Sequence, residues 1–170
     1  MTGDRLRLVA LERRHLERTR AWANDAELMR LMDRAAPVAE AEHEGWFASL
    51  GAQDDRAYFA IETLPAGLHV GNVWLWAIDR RHRKAELRIV IGDSSARGRG
   101  IGAAAIAEAC RHAFERMGLH RIYAYVLATN PAARRAFERA GFALEGTLRD
   151  DRWTENGFVD AYLLARCGSG

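Results

Sequence analysis

The sequence predicts a mixed α/β domain of the α+β class, in which a mostly antiparallel sheet receives one strand–helix–strand crossover. Three observations lead there. The chain has 170 residues, the size of one domain with a full core. Seven segments read as strands, by apolar–polar alternation or by short β-branched runs. The early strands come as antiparallel hairpins, whereas the middle of the chain runs strand, glycine-rich loop, long helix and strand.

Arg5–Val9 alternates polar and apolar and opens the chain as a strand. Leu11–Trp22 reads as a helix that Asn24-Asp25 ends or re-caps, and Ala26–Met32 as a second short one. Pro37 interrupts, and Ala39–Leu50 is a third helix carrying Trp46 and Phe47. Trp22, Met29, Met32, Trp46 and Phe47 suit a core, and also an acceptor pocket if two helices lie over a cleft. Tyr58–Glu62 and Val70–Ile78 form a hairpin, and the basic run Asp79–Lys84 leads to a buried strand, Leu87–Ile91. The helix Gly102–Met117 places Ala103, Ile106, Ala107, Cys110, Phe114 and Met117 on one face. His120–Leu127 is the next strand, parallel to Leu87–Ile91 by the right-handed crossover rule. Asn130-Pro131 is an N-cap followed by proline at the first helical position, and the helix Ala132–Ala140 ends at Gly141. Phe142–Thr147 and Phe158–Ala165 are the last strands, joined by a connection over Arg149–Gly157, and residues 166–170 form a flexible tail. No repeat or linker marks a second domain, so residues 1–170 are expected to be one unit.

Composition narrows the function. Apolar residues make up 49% and charged residues 28%, values of an ordinary globular protein. Twenty-five basic residues meet 23 acidic ones for a net charge of +2, which argues against a dedicated nucleic-acid binder. Cys110 and Cys167 have no ligand spacing around them and the six histidines are scattered, so no metal site is expected. The start lacks an apolar signal region, and no apolar run approaches the ~18 residues of a membrane span. A soluble cytoplasmic protein without nucleic-acid or membrane partners is the expectation.

The chemistry concentrates in Ala85–Gly102, a strand followed by Arg97-Gly98-Arg99-Gly100-Ile101-Gly102 and a helix start. Glycines there let backbone N–H groups approach a ligand, and a helix N-terminus favours anions. Arg97 and Arg99 strengthen that preference. A phosphate-bearing ligand is therefore indicated. A Walker loop would end in Gly-Lys-Ser/Thr, and this one ends Gly100-Ile101-Gly102. A dinucleotide fingerprint, Gly98-x-Gly100-x-x-Ala103, lacks the acid expected after the next strand, which exits into Ala128-Thr129-Asn130.

The remaining pattern, Arg97-x-x-Gly100-x-Gly102, resembles the coenzyme A pyrophosphate loop of the GNAT superfamily of N-acetyltransferases. Three further stretches resemble its branch of ribosomal-protein N-terminal and spermidine/spermine acetyltransferases: Trp22-Ala-Asn-Asp25, Asn130-Pro…Phe137…Gly141-Phe142, and Glu145-Gly-Thr-Leu-Arg149 with Asn156-Gly-Phe-Val-Asp160. The resemblance spans essentially the whole chain. It implies a splayed seven-stranded sheet flanked by helices, in which the Leu87–Ile91 strand carries a bulge and parts from its parallel neighbour. It also implies acetyl-CoA as co-substrate, with a homodimer possible. The pantetheine arm would bond the backbone of Ile89, Val90 and Ile91, and the Ile91 N–H would face the thioester oxygen. The pyrophosphate would sit on Arg97, Gly98, Arg99, Gly100, Ile101 and Gly102. Asn130 and Ala133 would lie along the arm, and Phe137 near the sulfur.

Transfer from a thioester to an amine needs the neutral amine, and an alkylammonium of pKa about 10 must first lose its proton. A carboxylate, directly or through water, can take it. Glu86 is the leading candidate, with Asp150 and Glu62 behind it. Where many members carry a tyrosine as general acid, this chain has Phe137, which cannot donate. A thiol of pKa about 8.5 leaves tolerably without full protonation, and Tyr123, Tyr125 or water are the alternatives. The expected activity is N-acetylation of a small-molecule primary amine, such as a polyamine, an amino sugar or an aminoglycoside-like compound. A protein N-terminus is the rival acceptor. Phe137 also motivates a non-catalytic acetyl-CoA sensor.

Overall fold

The computed structural model describes residues 6–32 and 37–168. Its centre is a seven-stranded sheet in the order β1-β2-β3-β4-β5-β7-β6. The strands are β1 (Leu6–Ala10), β2 (Ala57–Thr63), β3 (Leu68–Asp79), β4 (Lys84–Ile91), β5 (Arg121–Leu127), β6 (Ala143–Thr154) and β7 (Gly157–Cys167). Every neighbouring pair is antiparallel except β4 and β5. Helices α1 (Leu16–Ala23), α2 (Ala26–Leu31) and α3 (Glu40–Ser49) precede β2, α4 (Ile101–Glu115) joins β4 to β5, and α5 (Pro131–Arg139) follows β5.

Alternation along the strands sorts the two faces. Ile61, Val73, Leu75, Leu87 and Ile122 point into the main core with Ala105, Ile106, Ala109 and Cys110 of α4. On the opposite face, Trp22, Leu28 and Val90 form a smaller cluster, with Met32 and Trp74 packed against it. Burial of Cys110 pushes its thiol up to about 12, so it behaves as a small apolar side chain.

Four sequence expectations change. The buried stripe of α4 is centred on Ala105, Ala109 and Ala113, and Ala103 is only partly buried. Small residues there let the helix lie close to the sheet, and apolar spacing alone did not distinguish the two stripes. The connection foreseen over Arg149–Gly157 is mostly strand: β6 and β7 form one long hairpin with a two-residue turn at Glu155-Asn156. Arg166 and Cys167 of the expected tail complete β7. Finally, β4 itself pairs with β3 without interruption from Glu86 to Ile91, and the irregularity lies in β3 between Trp76 and Asp79, where Ala77 takes φ 51°. Arg5, where the first strand was expected to begin, lies outside the described residues, as do residues 169–170 of the expected tail.

Candidate active site

The sheet opens beside β4. Parallel pairing with β5 is confined to Lys84↔Arg121, Ala85↔Ile122 and Glu86↔Tyr123. Past Glu86 the strands diverge around a cavity of about 300 Å³, lined by Glu86, Arg88 and Ile89 of β4 and Tyr125, Val126 and Leu127 of β5. Asn130, Ala133 and Phe137 close one side, and Leu31, Met32, Trp74 and Arg152 the other.

The ladder with β3 decides which amides face this opening. The Gly92 N–H donates to the Val70 carbonyl at 3.0 Å, so Gly71 and Ile91 are a non-hydrogen-bonded pair. The peptide groups of Ile91 therefore point away from β3, and alternation gives Ile89 the same direction. The Ile91 carbonyl accepts from Arg97 Nε at 3.0 Å. Its N–H is left facing the divergence. Val90 is oriented the other way. Its backbone belongs to the β3 ladder opposite Asn72, and its side chain packs on Trp22 and Leu28. Val90 thus does not share the orientation that the sequence reading gave Ile89, Val90 and Ile91 together.

Beyond β4 the chain turns sharply. Gly92 packs so closely under Trp22 that an added Cβ would lie 2.0 Å from the indole. Gly98 and Gly100 take φ of 73° and 82°, the left-handed region that favours glycine. Gly100 is the N-cap of α4 with no side chain occupying the first-turn N–H groups, and no acid lies in that turn. Ile101 is buried beneath it, and Gly102 sits where a Cβ would meet Ile91 and Ala136 at ordinary contact distance. The first turn of α4 thus points its amides out beside the end of β4, an arrangement that suits an anion. Arg97 does not flank this turn as a free cation. Its guanidinium bonds the Ile91 and Gly92 carbonyls at 3.0 and 3.2 Å and Glu27 of α2 at 3.1 Å, bracing the strand end. Arg99 is exposed.

Glu86 is 9% exposed, and its carboxylate receives both Nε and Nη2 of Arg88 at 2.7 and 3.2 Å. Arg88, two residues on and so on the same strand face, lies 5.1 Å from the centre of the Trp76 ring. The basic run before the strand plays no part in holding it. On β5, directly opposite Glu86 in the ladder, burial and the Glu86 charge raise the pKa of Tyr123 above its ordinary value. Tyr123 meets Tyr125 edge-on at 5.9 Å. Asn130 caps α5 by accepting the Ala133 N–H at 3.1 Å, and its amide nitrogen has no partner among the described residues. Phe137 is buried against Phe142. Asp150 lies out on the hairpin and Glu62 in a separate buried cluster, so neither lines this cavity. Sequence reasoning missed Trp74, Arg88 and Arg152. The spacing of Arg88 from Glu86 was the available signal, whereas Arg152 was hidden in a segment read as a connection.

Residues 5–143 match the family model of the acetyltransferase (GNAT) domain. The chain belongs to the GNAT acetyltransferases. Among relatives, it is 32% identical over 109 residues to the spermidine N(1)-acetyltransferase of Vibrio cholerae, a match covering 62% of each chain. It is 32% identical over 111 residues to the mycothiol acetyltransferase of Salinispora tropica, covering 64% of this chain and 34% of that one. In sequence the chain therefore spans less than two thirds of these curated relatives. In structure it superposes on the Vibrio cholerae spermidine N-acetyltransferase solved with CoA and spermine, with a TM-score of 0.90 and 26% identity over 95% of both chains. A dodecameric form of that GNAT enzyme gives 0.79 at 25% identity, over 95% of this chain and 93% of that one.

Proposed function

We propose that this protein transfers the acetyl group of acetyl-CoA to a primary amine of a small molecule, directly between the two bound substrates. The observation that carries the reading is the unpaired edge of β4. The amides of Ile89 and Ile91 face the gap between β4 and β5, whose cavity reaches Ile89 and also holds a buried carboxylate, and the bare first turn of α4 lies at the strand's end. A pantetheine arm replaces the missing strand by bonding Ile89 and Ile91, and the pyrophosphate meets Gly98–Gly102. The Ile91 N–H stabilises the oxyanion formed when the amine attacks the thioester carbonyl. Asn130 offers its free amide nitrogen to the arm, and Ala133 and Phe137 supply its apolar wall.

Glu86 serves as counter-ion to the incoming ammonium. A carboxylate is a weak base for a group of pKa about 10, so the proton leaves through water that Glu86 orients. Phe137 has no proton to give, and among the tyrosines only Tyr125 lines the cavity. The thiolate therefore departs with help from Tyr125 or solvent. A polyamine acceptor is favoured by the relatives named for spermidine.

Release of CoA thiol, followed against spermidine, spermine, aminoglycosides and peptides with free N-termini, tests this. Turnover with a polyamine at a kcat/KM well above that for peptides is the expected result. Tight acetyl-CoA binding with no turnover on any amine would leave only the sensor reading. Gly100→Val forces a β-branched residue into φ 82°. It should raise the KM for acetyl-CoA about tenfold or more, with a stability loss of about 1–3 kcal/mol.

A further inference from the structure

A row of side chains crosses the sheet toward Glu86 from outside the cavity. Trp76 of β3 stands opposite Glu86 in the ladder with β4. The β2–β3 register, in which Ala57 faces Leu75, places Arg56 beside Trp76 one residue further on. Paired residues share a face of the sheet, so Arg56, Trp76 and Glu86 lie side by side. Arg88, two residues along β4, returns to that face and closes the row.

The contacts alternate in charge. Arg56 Cζ lies 4.0 Å from the centre of the Trp76 ring, and Arg88 Cζ 5.1 Å from it. Each guanidinium has its own carboxylate. Asp55 receives Arg56 Nε at 2.9 Å and Nη2 at 3.2 Å, as Glu86 receives the same two groups of Arg88. One indole thus serves two cations without leaving either charge unmatched. The backbone beyond the ring is tied down as well. Ala77 at φ 51° breaks the ladder after Trp76, and the Ile78 N–H donates to the Asp55 carbonyl at 2.8 Å.

Burial gives the row a direction. The side chain of Arg56 is 19% exposed and that of Arg88 45%. A half-exposed arginine–carboxylate pair is weak by itself, because water competes for it and the long side chain keeps its freedom. Arg88 can orient the Glu86 carboxylate only if something else holds Arg88. Trp76 does so by cation–π contact, and the better buried Arg56, clamped by Asp55, fixes the ring. Neither Trp76 nor Arg56 lines the cavity. We propose that Trp76 and Arg56 are positioning residues, which hold the Glu86 carboxylate at the cavity through Arg88. Their effect on turnover rests on the acetyltransferase reading above; their hold on Arg88 is measurable without turnover.

Rates of CoA release from acetyl-CoA with spermidine, together with magnetic-resonance signals of the arginine Nε–H groups in isotope-labelled protein, test this. Trp76→Leu should lower kcat about fivefold and Arg56→Gln about threefold, with the KM for acetyl-CoA unaltered. Trp76→Phe keeps an aromatic face and should restore most of the rate. Added to Arg88→Gln, neither substitution should lower kcat further, since both act through that one guanidinium. The Arg88 signal, assigned by its loss in Arg88→Gln, should be sharp in the unaltered protein and in Trp76→Phe. It should broaden in Trp76→Leu and in Arg56→Gln while the other arginine signals stay in place. Arg56→Gln carries both readouts if Trp76→Leu fails to fold. Losses that add to that of Arg88→Gln overturn the proposal, as does an Arg88 signal unchanged by either substitution. Broadening in a protein that releases no CoA with any amine would support the row and refute the transferase reading.

Discussion

Glu62 on β2 and Glu86 on β4 lie on the same face of the sheet, and they differ in what surrounds the carboxylate. Glu62 is fully buried. It receives Arg7 Nε at 2.9 Å, Arg14 Nη1 at 2.5 Å and His15 Nε2 at 3.1 Å. The Glu12 N–H donates to Nδ1 of the same imidazole at 2.9 Å, so the ring's proton sits on Nε2 and bonds Glu62. Burial pushes the Glu62 carboxyl up, but the bonds from His15, Arg7 and Arg14 outweigh it and hold the group at about 2. Glu86 has one partner, Arg88, and one open side, on the cavity. Two buried glutamates thus divide by satisfaction. The fully bonded one locks β1, β2 and the start of α1 together, and the partly bonded one keeps capacity for a ligand.

Glu62→Gln should cost the most, about 3 kcal/mol or more, because it leaves two arginines and a histidine facing a neutral amide. A lower urea midpoint with unchanged slope is the readout. The sign with pH follows. A folded value held below the ordinary carboxylate range contributes stability above about 4.5, lost as pH falls toward about 2. Acid unfolding of the variant should therefore lack that step.

Glu86→Gln should leave the urea midpoint nearly unmoved and lower kcat/KM about 100-fold, the scale of a lost acid–base or counter-ion contact. An unchanged rate would remove Glu86 from the chemistry. Arg88→Gln should reduce kcat about tenfold with the KM for acetyl-CoA unaltered, since the Glu86 carboxylate loses its bidentate hold while the edge of β4 is untouched. The smallest effect is expected for Arg7→Gln, under about 1 kcal/mol, because its side chain is 53% exposed and Glu62 keeps two other donors.

Legibility in the sequence followed range of interaction. The loop Arg97–Gly102 and the cap at Asn130-Pro131 were readable because glycine, asparagine and proline act on their own backbone. The strand Leu87–Ile91 was readable from its β-branched run. The role of Arg97 was not, because its partners are two carbonyls and Glu27, the last 70 residues away in sequence. The middle of β6 was hidden for another reason. Arg149, Asp150, Asp151 and Arg152 look like a turn, but an edge strand tolerates charge, and Asp150 at φ 51° absorbs the irregularity between Leu148 and Arg152. The divergence of β4 from β5 has no local signature at all, and only the family resemblance anticipated it. The aromatic cavity lined by Trp22, Met32, Trp46, Tyr58 and Trp74 was half legible. Trp22, Met32 and Trp46 stood out, but Tyr58 and Trp74 became part of it only through strand register.

Among the described residues, the ladder between β4 and β5 is three residue pairs long. The amides of Ile89 and Ile91 lie near the middle of a seven-stranded sheet, yet they face the divergence of β4 from β5 with no ladder partner there. Deuterium should enter them as fast as it enters the rim. A bound arm that takes up their bonds would convert that seam to interior, so isotope protection at the centre of the molecule becomes a gauge of occupancy.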